Sequence, residues 1–167
     1  SNGFSVRYVY DELDNIKEIW YTNNGVEAKA FGYTYTAFGQ LYRFDNFLDE
    51  TATVYKYDGE NRLVHYIEFD TGDDTNKFST TIFYNDEGLL SSLFYQGDYA
   101  AGTETTYYNH HYYHAYNTDG SLNYFSVSTD TTGGEIEYQY DDYKRLQTKV
   151  LDFYRSGSST TRFTNTV

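Results

Sequence analysis

Residues Tyr55–Leu63 read Tyr-Lys-Tyr-Asp-Gly-Glu-Asn-Arg-Leu, and this nine-residue pattern recurs along the chain. The other copies are Tyr8–Ile16, Tyr33–Leu41, Ile82–Leu90, His114–Leu122 and Tyr138–Leu146. Self-similarity at a spacing of about 20 to 50 residues is typical of an array of one supersecondary unit. The sequence therefore predicts a repeat protein.

Each copy has the chemistry of a β-hairpin turn. The residue after the second aromatic position starts the turn and is Asp or Asn in most copies, as position i of a type I turn favours. These residues are Asp11, Asp58, Asn85, Asn117 and Asp141, with Thr36 as the exception. Three positions later, Gly39, Asn61, Gly88 and Gly120 tolerate the left-handed conformation that closes such a hairpin through a bulge, whereas Asp14 and Lys144 fit less well.

This hairpin geometry makes the second aromatic residue and the final aliphatic residue of each copy cross-strand neighbours on one face. The predicted pairs are Tyr10/Ile16, Tyr35/Leu41, Tyr57/Leu63, Tyr84/Leu90, Tyr116/Leu122 and Tyr140/Leu146. The residues three positions after the aliphatic one are Ile19, Phe44, Tyr66, Leu93, Phe125 and Lys149. Strict alternation would place them on the opposite face, and a bulge in the return strand would restore them to the first face.

Successive hairpins are predicted to join into a meander. Phe4–Tyr10 alternates as a half-buried strand, a return strand covers Ile16–Thr22, and Asn23-Asn24-Gly25 turns into the next strand, Val26–Tyr35. Longer connectors of varied composition are expected along the other edge of the array, at Asp45–Thr51, Asp70–Asn76, Gly97–Thr103 and Asp130–Gly134.

The predicted fold class is all-β: a curved antiparallel meander of about 12 strands built from six hairpin repeats, forming an open single sheet or a partial shell. Thr160–Val167 is a candidate thirteenth strand, and no segment has a helical period with caps. Ser1-Asn2-Gly3 resembles a tag remnant, which leaves residues 4–167 as one repeat domain.

Composition excludes several classes of function. The chain has 22 Tyr, 12 Phe and one Trp but no Pro, Cys or Met, so disulfides, thiol chemistry and cysteine metal sites are absent. A formal net charge of −13 disfavours binding to a nucleic-acid backbone. No apolar run approaches the ~20 residues needed to span a bilayer as a helix.

The motif Tyr-x-Tyr-Asp-x-x-Gly-Arg-Leu resembles the YD, or Rhs, repeat family at all six copies. Tyr55–Leu63 is the nearest match, with Asn61 in place of Gly, while Arg occurs only at Arg62 and Arg145. This family includes bacterial polymorphic toxins, insecticidal toxin complexes, wall-associated proteins and teneurins, and its larger members wind the repeats into a hollow shell. The resemblance implies an exported or extracellular β-sheet scaffold. Six repeats are too few to close a shell, and the prolines of the family's self-cleaving segment are missing.

The abundant rings suggest a stacking platform for sugars, because aromatic planes cover the apolar faces of pyranose rings. The candidate ligand-binding residues are Trp20, Tyr21, Tyr42 and Tyr66. The alternative interpretation is structural, in which these rings only fill the repeat ladder.

The remaining side-chain clusters have simpler structural interpretations. On a strand, His110 and His114 share a face about 13 Å apart and His111 lies on the other, so one metal ion cannot join them. Asp70, Asp73 and Asp74 carry the oxygen ligands that Ca²⁺ takes, but without a regular calcium loop they fit a solvated acidic turn better. No cofactor, metal site or catalytic residue is predicted.

The sequence thus predicts a non-catalytic module of a secreted or cell-surface bacterial protein, with a scaffold role and an adhesive or glycan-binding surface. The alternative is a segment of a shell that encloses a toxin domain. Expected partners are a glycan or cell-surface molecule, or flanking repeats and an enclosed toxin domain. Edge-to-edge self-association through an unpaired end strand is also expected.

Overall fold

The computed structural model describes residues 3–72, 77–101, 104–130, 132–155 and 161–166, and within these ranges it has strands and turns but no helix. The strands are β1 (Phe4–Tyr10), β2 (Ile16–Asn23), β3 (Val26–Tyr35), β4 (Leu41–Asn46), β5 (Thr51–Tyr57), β6 (Leu63–Asp70), β7 (Lys77–Tyr84), β8 (Leu90–Ala101), β9 (Glu104–Tyr116), β10 (Leu122–Thr129), β11 (Thr132–Tyr140), β12 (Leu146–Arg155) and β13 (Thr161–Thr166). In each hairpin, the strand that ends in the motif aromatic residues is here called the outgoing strand, and the strand that begins with the aliphatic residue is the return strand.

The strands form one open antiparallel sheet in sequence order, from β1 to β13. This confirms the predicted all-β meander, including the thirteenth strand. Two connectors are shorter than predicted, because β8 continues to Ala101 and β11 already begins at Thr132. The tight turn between β2 and β3 is confirmed, since Asn24 and Gly25 both have positive φ angles, 52° and 80°.

The six motif turns share one backbone geometry. In each, the first turn residue donates its N–H to the carbonyl of the residue four positions later and accepts an N–H from the residue three positions later. The second of these hydrogen bonds closes the turn, and its donor residue lies in the left-handed region, as predicted. These residues are Asp14, Gly39, Asn61, Gly88, Gly120 and Lys144, with φ between 61° and 82°.

In the copies that have it, the motif Asp stabilises the turn by accepting hydrogen bonds through its carboxylate. Asp58 Oδ1 accepts the backbone N–H groups of Glu60 and Arg62 at 2.9 Å, and its Oδ2 accepts Arg62 Nε at 2.8 Å. Asp141 and Arg145 repeat the same arrangement in the last turn. The Arg of the motif therefore binds the Asp of its own turn.

Because of the turn carboxylates, we expect the folded chain to lose stability in acid. Backbone hydrogen bonds, chiefly from Arg62, hold the pKa of Asp58 below its ordinary value, and the same cause lowers the pKa of Asp141 through Arg145. A depressed folded-state pKa contributes stability above the unfolded pKa of about 3.9, and this contribution is lost as the pH falls through the folded value. We expect the urea midpoint of unfolding to fall as the pH is lowered from about 5 to about 2.

An Asp58→Asn variant tests the source of this acid sensitivity. An Asn side chain can keep the turn, since Asn85 Oδ1 accepts the N–H of Leu89 at 2.8 Å. We expect Asp58→Asn to fold normally and to lose less stability in acid than the parent chain. The control is Asp142→Asn at an exposed turn position. Identical pH profiles for Asp58→Asn and the parent would contradict the assignment.

The return strands carry the bulge that the sequence left open. Tyr57 pairs with Leu63, Lys56 with His65 and Tyr55 with Tyr66, so Val64 is the extra residue. The same shift follows the turn in the other hairpins whose register is defined, and the predicted pairs are confirmed for Tyr10/Ile16, Tyr35/Leu41, Tyr57/Leu63, Tyr116/Leu122 and Tyr140/Leu146. The bulge places Ile19, Phe44, Tyr66, Phe125 and Lys149 opposite the first aromatic position of the motif. One face, here called the motif face, therefore carries both sets of pairs.

Successive hairpins are joined by the hydroxyl of the second motif Tyr. Tyr35 Oη donates to the carbonyl of Ile16 at 2.8 Å, and Tyr57 Oη donates to the carbonyl of Leu41 at 2.8 Å. Tyr116 and Tyr140 make the same bond to Leu90 and Leu122, each at 2.9 Å. Each bond ends on the aliphatic residue that opens the preceding return strand, which explains why this position is Tyr rather than Phe.

Two compact units divide the chain, residues 1–79 with 98–105 and residues 80–97 with 106–167. The first carries β1 to β6 and the second carries β10 to β13. Within the described residues, the buried hydrophobic side chains are only Ala30, Ala52 and Val150. Most rings of the described residues are therefore half-buried on the sheet surface.

Candidate functional site

A row of aromatic rings crosses the motif face of the first unit. Phe4 contacts Tyr21 edge-on with ring centroids 5.3 Å apart, and Tyr21 contacts Phe31 at 5.9 Å. Phe31 stacks on Phe44 at 5.8 Å, and Phe44 lies 5.3 Å from Tyr33. The row is continuous because each ring is a cross-strand or diagonal neighbour of the next across β1 to β4.

The row also carries hydrogen-bonding groups that are not used within the fold. The hydroxyl groups of Tyr21 and Tyr33 have no hydrogen-bond partner among the described residues. Burial raises the pKa of Tyr33, so its hydroxyl stays protonated near neutral pH and remains a donor. Three apolar rings and two tyrosines with free hydroxyls therefore line the same strip.

On the opposite face of the first unit, the surface around Trp20 is ionic. Trp20 Nε1 donates to Glu18 at 2.8 Å, and Lys29 Nζ donates to the same carboxylate at 2.8 Å. Hydrogen bonds, first from Lys29 and then from Trp20, lower the pKa of Glu18. Arg7 covers the Trp20 ring at 5.1 Å and bonds Glu27 at 2.9 Å. The indole is thus already engaged on an ionic surface.

The structure does not bring the four predicted ligand-binding residues together. Tyr21 and Tyr66 lie on the motif face, where Tyr66 pairs with Tyr55 at a centroid distance of 6.1 Å. Trp20 lies on the other face of the sheet, where its cross-strand partners are Arg7 and Lys29. Tyr42 is the bulged residue after Leu41 and is 48% exposed. The motif-face row, which includes Phe31 and Tyr33, was missed because cross-strand neighbours depend on the bulges.

The histidine tract follows the predicted alternation. On β9, His110 pairs with Thr129 and His114 with Phe125, so both lie on one face and His111 lies on the other. The His114 ring packs 5.1 Å from that of Phe125, burial lowers its pKa, and its buried Nδ1 has no hydrogen-bond partner among the described residues. The ring therefore stays neutral near pH 7 and acts as one of the packed rings of the motif face.

Metal-ligand geometry is not found in the described part of the chain. No group of three or more His, Asp or Glu side chains there is arranged to hold an ion. Asp70, at the end of β6, lies near Asp49 and Glu50, whereas the other two residues of the calcium hypothesis, Asp73 and Asp74, lie outside the described residues.

Comparisons with known proteins leave the family open. No helix in the described ranges is long and apolar enough to cross a membrane. Neither the protein-family models nor the curated proteins yielded a match to this chain.

Proposed function

We propose that this chain is a non-catalytic module of the YD-repeat type, from a secreted or cell-surface bacterial protein, that acts as a scaffold and binds glycans through its motif face. The observation that carries the proposal is the open row of rings formed by Phe4, Tyr21, Phe31, Phe44 and Tyr33. The family part of the proposal rests on the repeated Tyr-x-Tyr-Asp turn and on the Arg–Asp pairs of two copies.

The row has the two properties that carbohydrate recognition uses. Half-exposed rings offer apolar planes to the C–H faces of sugars, and free tyrosine hydroxyls offer donors and acceptors to sugar hydroxyls. A sheet built from hydrogen-bonded hairpins holds these rings at defined positions, so little order must be gained on binding. This strip is favoured over the Trp20 surface because Arg7 already occupies the indole face.

A glycan array followed by titration of the best ligand tests the binding site. We expect Tyr21→Ala to weaken binding at least about tenfold, because stacking of one ring is worth on the order of 1 kcal/mol or more and a hydroxyl contact is lost as well. Trp20→Ala is the matched control, since it removes the adjacent ring from the other face of the same strand.

The two variants separate the possible outcomes. Loss of binding in Trp20→Ala but not in Tyr21→Ala would move the site to the opposite face. Absence of any glycan binding by the folded chain would reject the glycan part of the proposal and leave the scaffold role.

The alternative function is a segment of a wall that encloses a toxin domain. It is favoured by the constant register between one hairpin and the next. The residue two positions after the aliphatic residue of a return strand faces the residue three positions before the second motif Tyr of the next outgoing strand. The pairs are Glu18/Gly32, Arg43/Val54 and Tyr124/Glu137. A constant register allows a sheet to be extended by further repeats. Electron microscopy of the parent protein would distinguish a closed wall around a C-terminal domain from an exposed module.

A further inference from the structure

The first strand of the sheet has a neighbour on one side only. β1 pairs with β2, and no other described strand pairs with its outer edge. Asp11 donates its N–H across the hairpin to Asn15. Because backbone groups alternate in direction along a strand, the N–H and C=O groups of Tyr10, Tyr8 and Val6 point away from β2. The strand contains no Pro or Lys, and Arg7 is its one charged residue among the side chains that can blunt an edge.

The side chains of β1 on the motif face are exposed as well. Phe4, Val6, Tyr8 and Tyr10 are 65%, 39%, 50% and 54% exposed. In the later repeats, the two motif aromatic positions are half-buried, because the return strand of the preceding hairpin lies beside them. The exposure of β1 thus reflects a missing neighbour.

The hydroxyl of Tyr10 indicates which kind of strand fits beside β1. Tyr35, Tyr57, Tyr116 and Tyr140 donate their hydroxyl to the first carbonyl of a preceding return strand. Tyr10 occupies the same motif position, and its hydroxyl has no acceptor among the described residues. An acceptor in the same place would be the carbonyl of a Leu or Ile that opens a return strand.

We propose that the outer edge of β1 is a docking site for the return strand of another hairpin of this repeat type. The strand runs antiparallel to β1, and Tyr10 Oη donates to the carbonyl of its leading aliphatic residue. The constant register places the second residue after that aliphatic one opposite Arg7. Because Arg7 is cationic, a neutral or acidic residue fits there and a basic residue does not. This site does not depend on glycan binding.

A second copy of this chain does not offer such a strand. The two ends of the sheet are β1 and β13, and each is an outgoing strand by its place in the order. Every return strand already has a neighbour on both sides. The partner is therefore a hairpin of this repeat type that the described residues do not themselves supply.

The test uses the whole chain and a labelled synthetic peptide of residues 132–155, which contains the last hairpin and has Thr148 at the position facing Arg7. Hydrogen exchange on the chain alone should be fast for the amides of Val6, Tyr8 and Tyr10 and slow for those of Arg7 and Val9, which face β2. Saturating peptide should slow exchange at the first three at least about tenfold, because those amides then donate to the peptide strand.

Variants of both partners test the details. Tyr10→Phe should weaken peptide binding about fivefold, the loss expected for one neutral hydrogen bond, whereas Tyr143→Phe at an exposed turn should not change it. A Thr148→Lys peptide should bind more weakly than the parent peptide.

Three results would overturn the proposal. The first is no saturable binding up to about 1 mM peptide. The second is equal binding by Tyr10→Phe and the parent. The third is slow exchange of the Val6, Tyr8 and Tyr10 amides in the chain alone; if that protection also rose with concentration, the occupant would be a second copy.

Discussion

We expect Tyr57→Ala to lower the free energy of unfolding by about 3 kcal/mol, a value near the lower end for loss of a large packed ring. The substitution removes the half-buried ring that pairs with Leu63 and the hydroxyl that donates to Leu41. It therefore disrupts one hairpin and its bond to the preceding hairpin. The measurement is the urea midpoint of unfolding, converted to free energy with the observed slope.

Two further substitutions divide this effect into its parts. Tyr57→Phe keeps the ring and loses only the hydroxyl, and it should cost about 1 kcal/mol. Lys56→Ala, at the exposed neighbouring position on the opposite face, should cost under about 0.5 kcal/mol. If Tyr57→Ala and Lys56→Ala had equally small effects, Tyr57 would not stabilise the sheet.

The second large effect is expected at the left-handed position of the turn. Gly39 has a φ of 79°, and a Cβ built there meets no atom within 4 Å. The cost of Gly39→Val is therefore backbone strain alone, and we expect about 2 kcal/mol, since β-branched residues strongly disfavour this region.

Gly59→Val is the matched control, because Gly59 also has open space around its Cβ but lies outside the left-handed region. It should cost under about 0.5 kcal/mol. Both variants restrict the unfolded chain in the same way, so their difference reports the native φ angle. Equal costs in chemical denaturation would show that the turn relaxes away from this conformation.

Much of the fold was predictable because the turn chemistry is local. Asp58, Asn61 and Leu63 lie within one nine-residue motif, so their hydrogen bonds and pairing follow from residues close in sequence. Six repetitions of a weak local signal then predicted the hairpins and the meander. Trp20 and Tyr21 are consecutive residues of a strand, so alternation alone already separates them, and their grouping into one surface was wrong.

The sequence by itself determined the turns, the residue pairs within the hairpins whose register is defined, and the order of the strands. Only the tertiary structure decided three other features. They are the bulge that brings both sets of pairs to the motif face, the register between hairpins, and the row of rings from Phe4 to Tyr33. It also showed that Tyr10 finds no counterpart, among the described residues, of the acceptor that Tyr35 finds on Ile16, 19 residues away. The physical reason is that a turn is specified by neighbours in sequence, whereas a strand edge and a shared face depend on backbone groups that only pairing brings together.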